Sequence, residues 1–453
     1  MRNNQILKLG LSFLLPGILF FFPPLQMDSN QGVVLSALVL TVTWWATGIV
    51  KKSVASLFLL TVFSFGGSTP LVEIFRFPLS ENFVLVLFSF IFTEGIMNSG
   101  LPEKIIEPAL EKGGKEIRSL LWMIIGLNVL LIFVIPQPFA RIIILGTILK
   151  GFFQGRKLGQ DLIEVLMLFT FAAAIVVNMM FLRGDIILNN ALIAIAGIEI
   201  SEGLWIRIMT VPTLIFIGLT YLLFYILFKQ VLLTYPVTEK TLKHPYQETY
   251  LTKKDKRNLR LILAVVFLWM AEPFHGMGSP AVIVFGTAML ALVGLIKKRG
   301  VGAVNFELLI FITAAFSIGA VMTNSGVAEI LLLPLKGLLP EEFGVLYLLV
   351  IMVISMVMHM ILGSNITTLS VVVPGLMLIG EGVIPALGLV FVIHVSVSTH
   401  YLLPFHNVIL LIGNGKGLFG SRLVSRYGVG LTLLMPVVLL GVYYIWWRII
   451  GLL

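Results

Sequence analysis

The chain has 453 residues, of which 58% are apolar, only 12% are charged and none is cysteine. A soluble domain carries about 25% charged residues, so this composition indicates an integral membrane protein and excludes a folded enzyme module outside the membrane. The lack of cysteine excludes disulfides, thiolate metal sites and a cysteine nucleophile. The net charge of +9 is not evidence for a nucleic-acid partner, because basic residues also set the orientation of membrane proteins.

Apolar runs, taken in chain order, predict eleven membrane spans, since about 20 apolar residues form one helical crossing. The runs cover residues of about 9–22, 31–50, 53–68, 82–99, 163–196, 204–228, 259–271, 279–295, 305–325, 386–414 and 428–450. The first run ends in two prolines and lacks the small-residue cleavage pattern of a signal peptide. We therefore expect it to remain as the first span.

Two further apolar stretches, 119–152 and 344–379, are each too long for one span and are broken near the middle. The breaks are Ile135-Pro136-Gln137-Pro138 and Gly363-Ser364-Asn365. Because the two ends of each stretch are flanked alike, each is predicted to be a re-entrant helical hairpin. The predicted fold class is therefore an all-α polytopic membrane protein with two such hairpins.

The placement of charge supports this count, because cytoplasmic loops hold an excess of Lys and Arg. With the N-terminus in the cytoplasm, 25 of the 31 basic residues fall on the inner side. The other six are Arg76, Arg207, Lys336 and Arg448 outside, and Arg141 and Arg183 at membrane depth. The sequence thus predicts a multi-pass protein of the plasma or inner membrane, with the first hairpin entering from inside and the second from outside.

An internal repeat relates the two halves of the chain. Asn82-Phe83 leads through an apolar run to Asn98-Ser99-Gly100, and Asn305-Phe306 leads likewise to Asn324-Ser325-Gly326. Because the charge map gives these runs opposite directions, we predict an inverted repeat, which is typical of secondary transporters. The predicted parts are a first membrane half at 1–228, a cytoplasmic linker at 229–258 and a second half at 259–453.

Polar residues at the hairpin tips and in two broken spans are candidates for a site, since irregular backbone at membrane depth is tolerated where it lines a cavity. The breaks lie at 178–185 and 403–407. A helix begins after each tip and each break, so partial positive charge and free N–H groups are predicted to converge on an anion. The candidate anion-binding residues are Gln137, Arg141, Asn178, Ser364, Asn365, Thr367 and Thr368. The alternative is that Ser and Thr at the second tip only cap the returning helix.

The sequence resembles one family, the divalent anion:sodium symporters, which carry dicarboxylates, citrate or sulfate. The resemblance covers nearly the whole chain: the Trp44-Trp45 span, the helix end at 98–100, both hairpins and the unwound segments. Ser364-Asn365 matches the Ser-Asn-Thr motif of the family's hairpin tips, with Ile366 in place of Thr. Residues 136–138 at the first tip do not match it. Residues 403–407 are similar to the family's Thr-Pro-Pro-Asn-like segment, whereas 181–185 have no such likeness.

This resemblance implies a homodimer in which a transport domain moves against a scaffold in an elevator motion. It also implies sodium as the coupling ion. Because the first tip lacks hydroxyls, only the second sodium site is expected. Its expected ligands are Gly363, Ser364, Asn365, His406 and Asn407.

Arg141 follows the first tip by one helical turn and is predicted to face it. We hypothesise that its guanidinium, which suits bidentate contact with a carboxylate or sulfate, takes the place of the first sodium ion. The alternative is a pairing with Asp185 or Glu94 that only locks the hairpin. Arg183 and Asp185, which flank Gly184, are interpreted as a local ion pair.

Four histidines, His359, His394, His400 and His406, lie in or beside the second hairpin and the broken span after it. Because histidine changes charge between about pH 5 and 8, His400 and His406 are candidates for proton coupling, with Asp185 as a third. The alternative is that they are packing and hydrogen-bonding groups. We predict no organic cofactor and no metal other than an alkali cation.

The predicted function is sodium-coupled symport of a small anion, with sodium, membrane lipid and a second copy of the chain as partners. A proton-coupled or uncoupled anion exchanger is the alternative within the same class. A membrane-embedded enzyme would need a nucleophile and base, or metal ligands, clustered at one interface, whereas these polar residues form two symmetric sets at mid-depth. A structural or sensory protein would not need broken spans.

Overall fold

The computed structural model describes residues 9–66, 69–113, 116–135, 137–235, 251–271, 275–296, 302 and 304–453. Every regular element in these ranges is a helix, and a helix is present at each of the eleven predicted spans. Seven of the helices in the described ranges are long and apolar enough to cross a membrane, and five shorter apolar helices accompany them. The prediction of an all-α polytopic membrane protein is confirmed.

The first half contains eleven helices within the described residues. They are α1 (Leu14–Phe21), α2 (Ser29–Thr47), α3 (Lys52–Gly66), α4 (Leu71–Ile74), α5 (Glu81–Asn98), α6 (Leu101–Gly113), α7 (Ile117–Val134), α8 (Pro138–Gly155), α9 (Gln160–Val177), α10 (Leu188–Ala196) and α11 (Glu202–Leu232). Helices α7 and α8 are the arms of the first hairpin. Between α9 and α10 the chain forms two single 3₁₀ turns, at Asn178–Met180 and Leu182–Asp185.

The second half contains nine helices within the described residues. They are α12 (Lys253–Met270), α13 (Ser279–Leu292), α14 (Phe306–Asn324), α15 (Val327–Lys336), α16 (Val345–Leu362), α17 (Asn365–Ile379), α18 (Ala386–Ser398), α19 (Val408–Gly415) and α20 (Ser421–Ile449). Helices α16 and α17 are the arms of the second hairpin. A 3₁₀ turn at Pro404–His406 lies between α18 and α19.

The order of these elements is repeated. In each half a span is followed by a shorter helix, a helical hairpin, a helix broken by 3₁₀ turns and a long terminal helix. The shorter helices, α6 and α15, lie outside the predicted spans and hairpins. The linker is helical as far as Leu232 and again from Lys253, and its residues 236–250 lie outside the described part of the chain.

Helix α9 is the centre of the fold. It packs against both arms of the first hairpin, α11 and α19, and every residue from Val165 to Met180 is buried. Its apolar side chains therefore face protein on all sides, as expected for a helix that is hydrophobic around its whole circumference. Helices α2, α3 and α14 form a second apolar core, which contacts the second hairpin through α17.

A salt bridge joins the first half to the start of α12. Lys104 Nζ lies 2.7 Å from Asp255 Oδ2, and the hydroxyl and backbone N–H of Thr252 donate to the same oxygen at 2.7 and 2.9 Å. The hydrogen bonds from Lys104 and then from Thr252 lower the pKa of Asp255 to about 2. Because this pKa lies below the usual value of 3.8, the stabilisation is complete above about pH 4 and is lost only as the pH falls toward 2.

We expect Asp255→Asn to lower the melting temperature of the purified protein by a few degrees, with Glu341→Gln, an exposed charge removal, as the control. The difference between mutant and wild type should stay constant from pH 5 to pH 8, since the carboxylate remains ionised throughout. Thermal unfolding in detergent measures it. A difference that shrinks toward pH 5 would contradict the assigned pKa.

Candidate functional site

A cavity of about 40 Å³ lies between the two hairpins and the two broken spans. It is lined by first-turn residues of four helices: Phe139 of α8, Leu188 of α10, Ile366 of α17 and Val408 of α19. The N-terminus of a helix carries partial positive charge and N–H groups without helical acceptors. Four such ends therefore line one space, an arrangement suited to binding an anion.

The cavity also brings together five of the residues singled out from the sequence. Asn178, Asp185, Ser364, Asn365 and Asn407 all line it, although they come from three separate parts of the chain. Two further polar residues, Asn189 and Ser398, line the cavity and were missed, because each lies within an apolar helical pattern with no local sign of irregular backbone. Gln137, Arg141, Thr367, Thr368, Gly363, His400 and His406 are not among its described lining residues.

Three of the four helix N-termini are capped by their own side chains. Gln137 Oε1 accepts a hydrogen bond from the first turn of α8, and Asn407 Oδ1 accepts one at 2.9 Å from that of α19. Asp185 Oδ1 accepts two, at 3.0 and 3.2 Å, from the start of α10. At these three ends much of the hydrogen-bonding capacity is already used within the protein.

The second hairpin tip is different, because no side chain caps α17. The first backbone bond of this helix runs from the N–H of Thr368 to the oxygen of Ser364, at 2.8 Å. The N–H groups of Asn365, Ile366 and Thr367 have no acceptor among the described residues. Asn365 Oδ1 also lacks a partner there, although the residue is only 8% exposed. The second tip is therefore the place where a bound ligand would satisfy buried polar groups.

Other residues of the second tip support its shape. Gly363 has a φ of 65°, a left-handed conformation that favours glycine and that ends α16 where the chain turns back. The hydroxyl of Thr368 donates to the oxygen of Ser364 at 2.8 Å and lies 3.1 Å from His359 Nδ1, so it joins the two arms. Thr367 is fully buried.

Arg141 joins the first tip to the first broken span. Its Nη1 donates to the oxygen of Ile135 at 2.9 Å, and its Nη2 donates to Asn178 Oδ1 at 2.7 Å and to the oxygen of Gly184. The side chain is 2% exposed. Its guanidinium thus faces three protein acceptors, rather than the acid predicted in the locking alternative.

The first broken span is held by hydrogen bonds to its carbonyl oxygens. Asn189 Nδ2 donates to the oxygens of Asn178, Phe181 and Leu182, at 3.1 to 3.3 Å. Trp205 Nε1 donates to the oxygen of Met179 at 3.0 Å. These bonds replace those that the unwound segment cannot make within a helix.

The predicted ion pair between Arg183 and Asp185 is wrong. Arg183 Nε lies 3.3 Å from Glu202 Oε2, at the start of α11. Asp185 instead uses Oδ1 to cap α10. In the 3₁₀ turn the two side chains leave the backbone in different directions, so closeness in sequence does not bring their charges together.

The histidines form a cluster beneath the second tip. The ring of His359 lies 6.0 Å from that of His400 and 5.8 Å from that of His406. His406 Nδ1 accepts hydrogen bonds from the N–H groups of Leu402 and Leu403, which requires this nitrogen to be unprotonated. No group of three His, Asp or Glu side chains within the described residues has the geometry to hold a metal ion.

A larger cavity of about 1020 Å³ lies beside the site. Leu182, Arg183 and Ile186 line the larger cavity, whereas Asp185 and Leu188 line the smaller one. The segment that begins with the second 3₁₀ turn is therefore the wall between the two. The other charged residues of the larger cavity are Glu73, Arg76, Glu81, Glu199 and Glu202.

Paired helical hairpins and broken helices around one cavity are typical of secondary transporters. A family model described as the sodium:sulfate symporter transmembrane region matches residues 3–453, which is essentially the whole chain. The chain belongs to this family. No curated protein matches it.

Proposed function

We propose that the protein is a secondary transporter that carries a small divalent anion, of the di- or tricarboxylate or sulfate class, together with sodium. One observation carries the proposal: four helix N-termini line one cavity, and the N-terminus of α17 at the second tip is uncapped. An oxyanion bound there would accept hydrogen bonds from the free N–H groups of the tip. Membership of the sodium:sulfate symporter family supports both the anion and the coupling ion.

Sodium is proposed to bind at the second tip. Ser364, Asn365 and Asn407 line the cavity, and they offer the hydroxyl and carbonyl oxygens that a hard cation prefers. Asn365 Oδ1 is the unsatisfied acceptor of this set. Gly363 contributes the turn, and His406 is oriented by two backbone N–H groups beside it.

The proposed mechanism is an elevator motion of the hairpins and broken spans against a scaffold, within a homodimer. The repeated order of elements supports an inverted repeat. The larger cavity opens among helix ends that the distribution of Lys and Arg places on the outer side of the membrane. We propose that the anion enters there and passes the segment 182–186, which separates the two cavities. The proposed cytoplasmic N-terminus rests on charge alone, because residues 1–8 lie outside the described part.

A proton-coupled or uncoupled exchanger remains the rival proposal within this class. One observation favours it: Arg141 is a permanent positive charge close to the first tip, where a sodium ion would otherwise be needed for charge balance. The two proposals differ in whether transport requires a sodium gradient.

We expect Asn365→Ala to reduce anion uptake by proteoliposomes at least tenfold while expression and oligomeric state are retained. The side chain lines the cavity and its oxygen has no donor among the described residues, so its loss removes an acceptor that a bound ligand would use. Asn414→Ala, two turns further along α19 from the cavity, is the matched control and should transport normally. Normal uptake kinetics in Asn365→Ala would refute the assignment of this tip to the site.

A further inference from the structure

Two acceptor groups face the cavity without a cation beside them. Asn365 Oδ1 has no hydrogen-bond donor among the described residues, and the residue is more than nine-tenths buried. Asp185 also lines the cavity and is 8% exposed. Its Oδ1 caps α10, so its second oxygen, Oδ2, is the one left for a ligand. One group comes from each half of the chain.

Charge balance requires a partner for this carboxylate. Arg141 donates to Asn178 and to the oxygen of Gly184, the residue before Asp185, but no ion pair joins Arg141 to Asp185 within 4.0 Å. Arg183 is paired with Glu202. Arg141 and Asp185 therefore contribute formal charges that cancel, and a divalent anion would leave two uncompensated negative charges in a buried space, which is strongly unfavourable.

We propose that Asp185 is a sodium ligand, and that Asp185 and Asn365 hold one sodium ion between the two halves. The inference rests on the proposed function and adds a formal negative charge to a site otherwise built from neutral oxygens. Because sodium neutralises Asp185, the charge of Arg141 becomes uncompensated and the site becomes positive by one unit.

The substitution Asp185→Asn separates charge from helix capping, because the asparagine oxygen can still accept the N–H groups of Ile187 and Leu188. Asp185→Ala removes both. Sodium binding is measured without any anion, as the rise in melting temperature of detergent-solubilised protein on titration with sodium chloride against choline chloride. We expect Asp185→Asn to raise the half-maximal sodium concentration at least tenfold with a near-normal melting temperature in choline, and Asp185→Ala to lower the melting temperature as well.

Asn365→Asp provides a second variant, since it adds a carboxylate to the same site. It should lower the half-maximal sodium concentration, and it keeps the proposal testable if Asp185→Asn is not recovered folded. A wild-type sodium response in Asp185→Asn would overturn the assignment. The assignment would also be overturned if low pH, but not sodium, raised the melting temperature of the wild type. The cation that neutralises Asp185 would then be a proton. Sodium protection with no anion uptake would leave this site standing and reject the proposed function instead.

Discussion

Replacing Gly184 with alanine is expected to abolish transport and to destabilise the protein. A Cβ atom at this position would lie 2.8 Å from the carbonyl carbon of Asn178, 3.0 Å from its Cα and closer still to its backbone oxygen, and backbone atoms cannot move aside cheaply. Overpacking of this kind costs about 1–3 kcal/mol. The first broken span would have to open, which would displace the carbonyl of Gly184 from Arg141.

The measurement is the initial rate of anion uptake together with the melting temperature of the purified protein. Gly218→Ala in α11 is the matched control, because nothing lies within 4 Å of its Cβ position and alanine is the better helix former. Uptake in Gly184→Ala at the wild-type rate would show that the break at 178–185 does not shape the site.

The second large effect is expected at Arg141. Arg141→Gln removes the guanidinium that donates to the buried oxygens of Ile135, Asn178 and Gly184. A buried acceptor left without a partner costs about 1–3 kcal/mol. We expect the apparent Michaelis constant for the anion to rise at least tenfold. The hydrogen bonds that join the first tip to the first break are lost, and so is the positive charge beside them.

Arg141→Lys distinguishes charge from geometry. A lysine keeps the charge but cannot reach three acceptors with a planar fork, so we expect partial recovery of uptake. Arg448→Gln, at an exposed position near the end of α20, is the control for the loss of a basic residue. Full recovery of uptake in Arg141→Lys would mean that only the charge matters. Normal uptake in Arg141→Gln would show that neither the charge nor the geometry of this side chain matters.

The spans and the hairpins could be predicted because they depend on local patterns. Length, apolar composition and the breaks at 135–138 and 363–365 specified α7, α8, α16 and α17 almost to the residue. Helices α6 and α15 were missed because their composition is mixed, and their place in the fold depends on packing against the hairpins.

The site was less predictable than the fold. Asn178, Asp185 and Asn365 could be nominated because they interrupt apolar runs, and the structure places them around one cavity. The partners could not be predicted: Arg183 pairs with Glu202 across 19 positions of sequence, and Arg141 donates to the backbone oxygens of Ile135 and Gly184, which no residue type reveals. Side-chain direction in an irregular segment depends on backbone angles that spacing does not determine.

The central claim is that a sodium gradient drives an anion through this protein. The most direct test is uptake of labelled sulfate, succinate and citrate by proteoliposomes, with an inward sodium gradient, an equal sodium concentration on both sides, or choline in place of sodium. The account predicts that at least one of these anions accumulates transiently above its external concentration, and only when the inward sodium gradient is present. This accumulation should fall at least tenfold in Asn365→Ala. Equal uptake under all three conditions, or uptake driven only by a pH gradient, would contradict it.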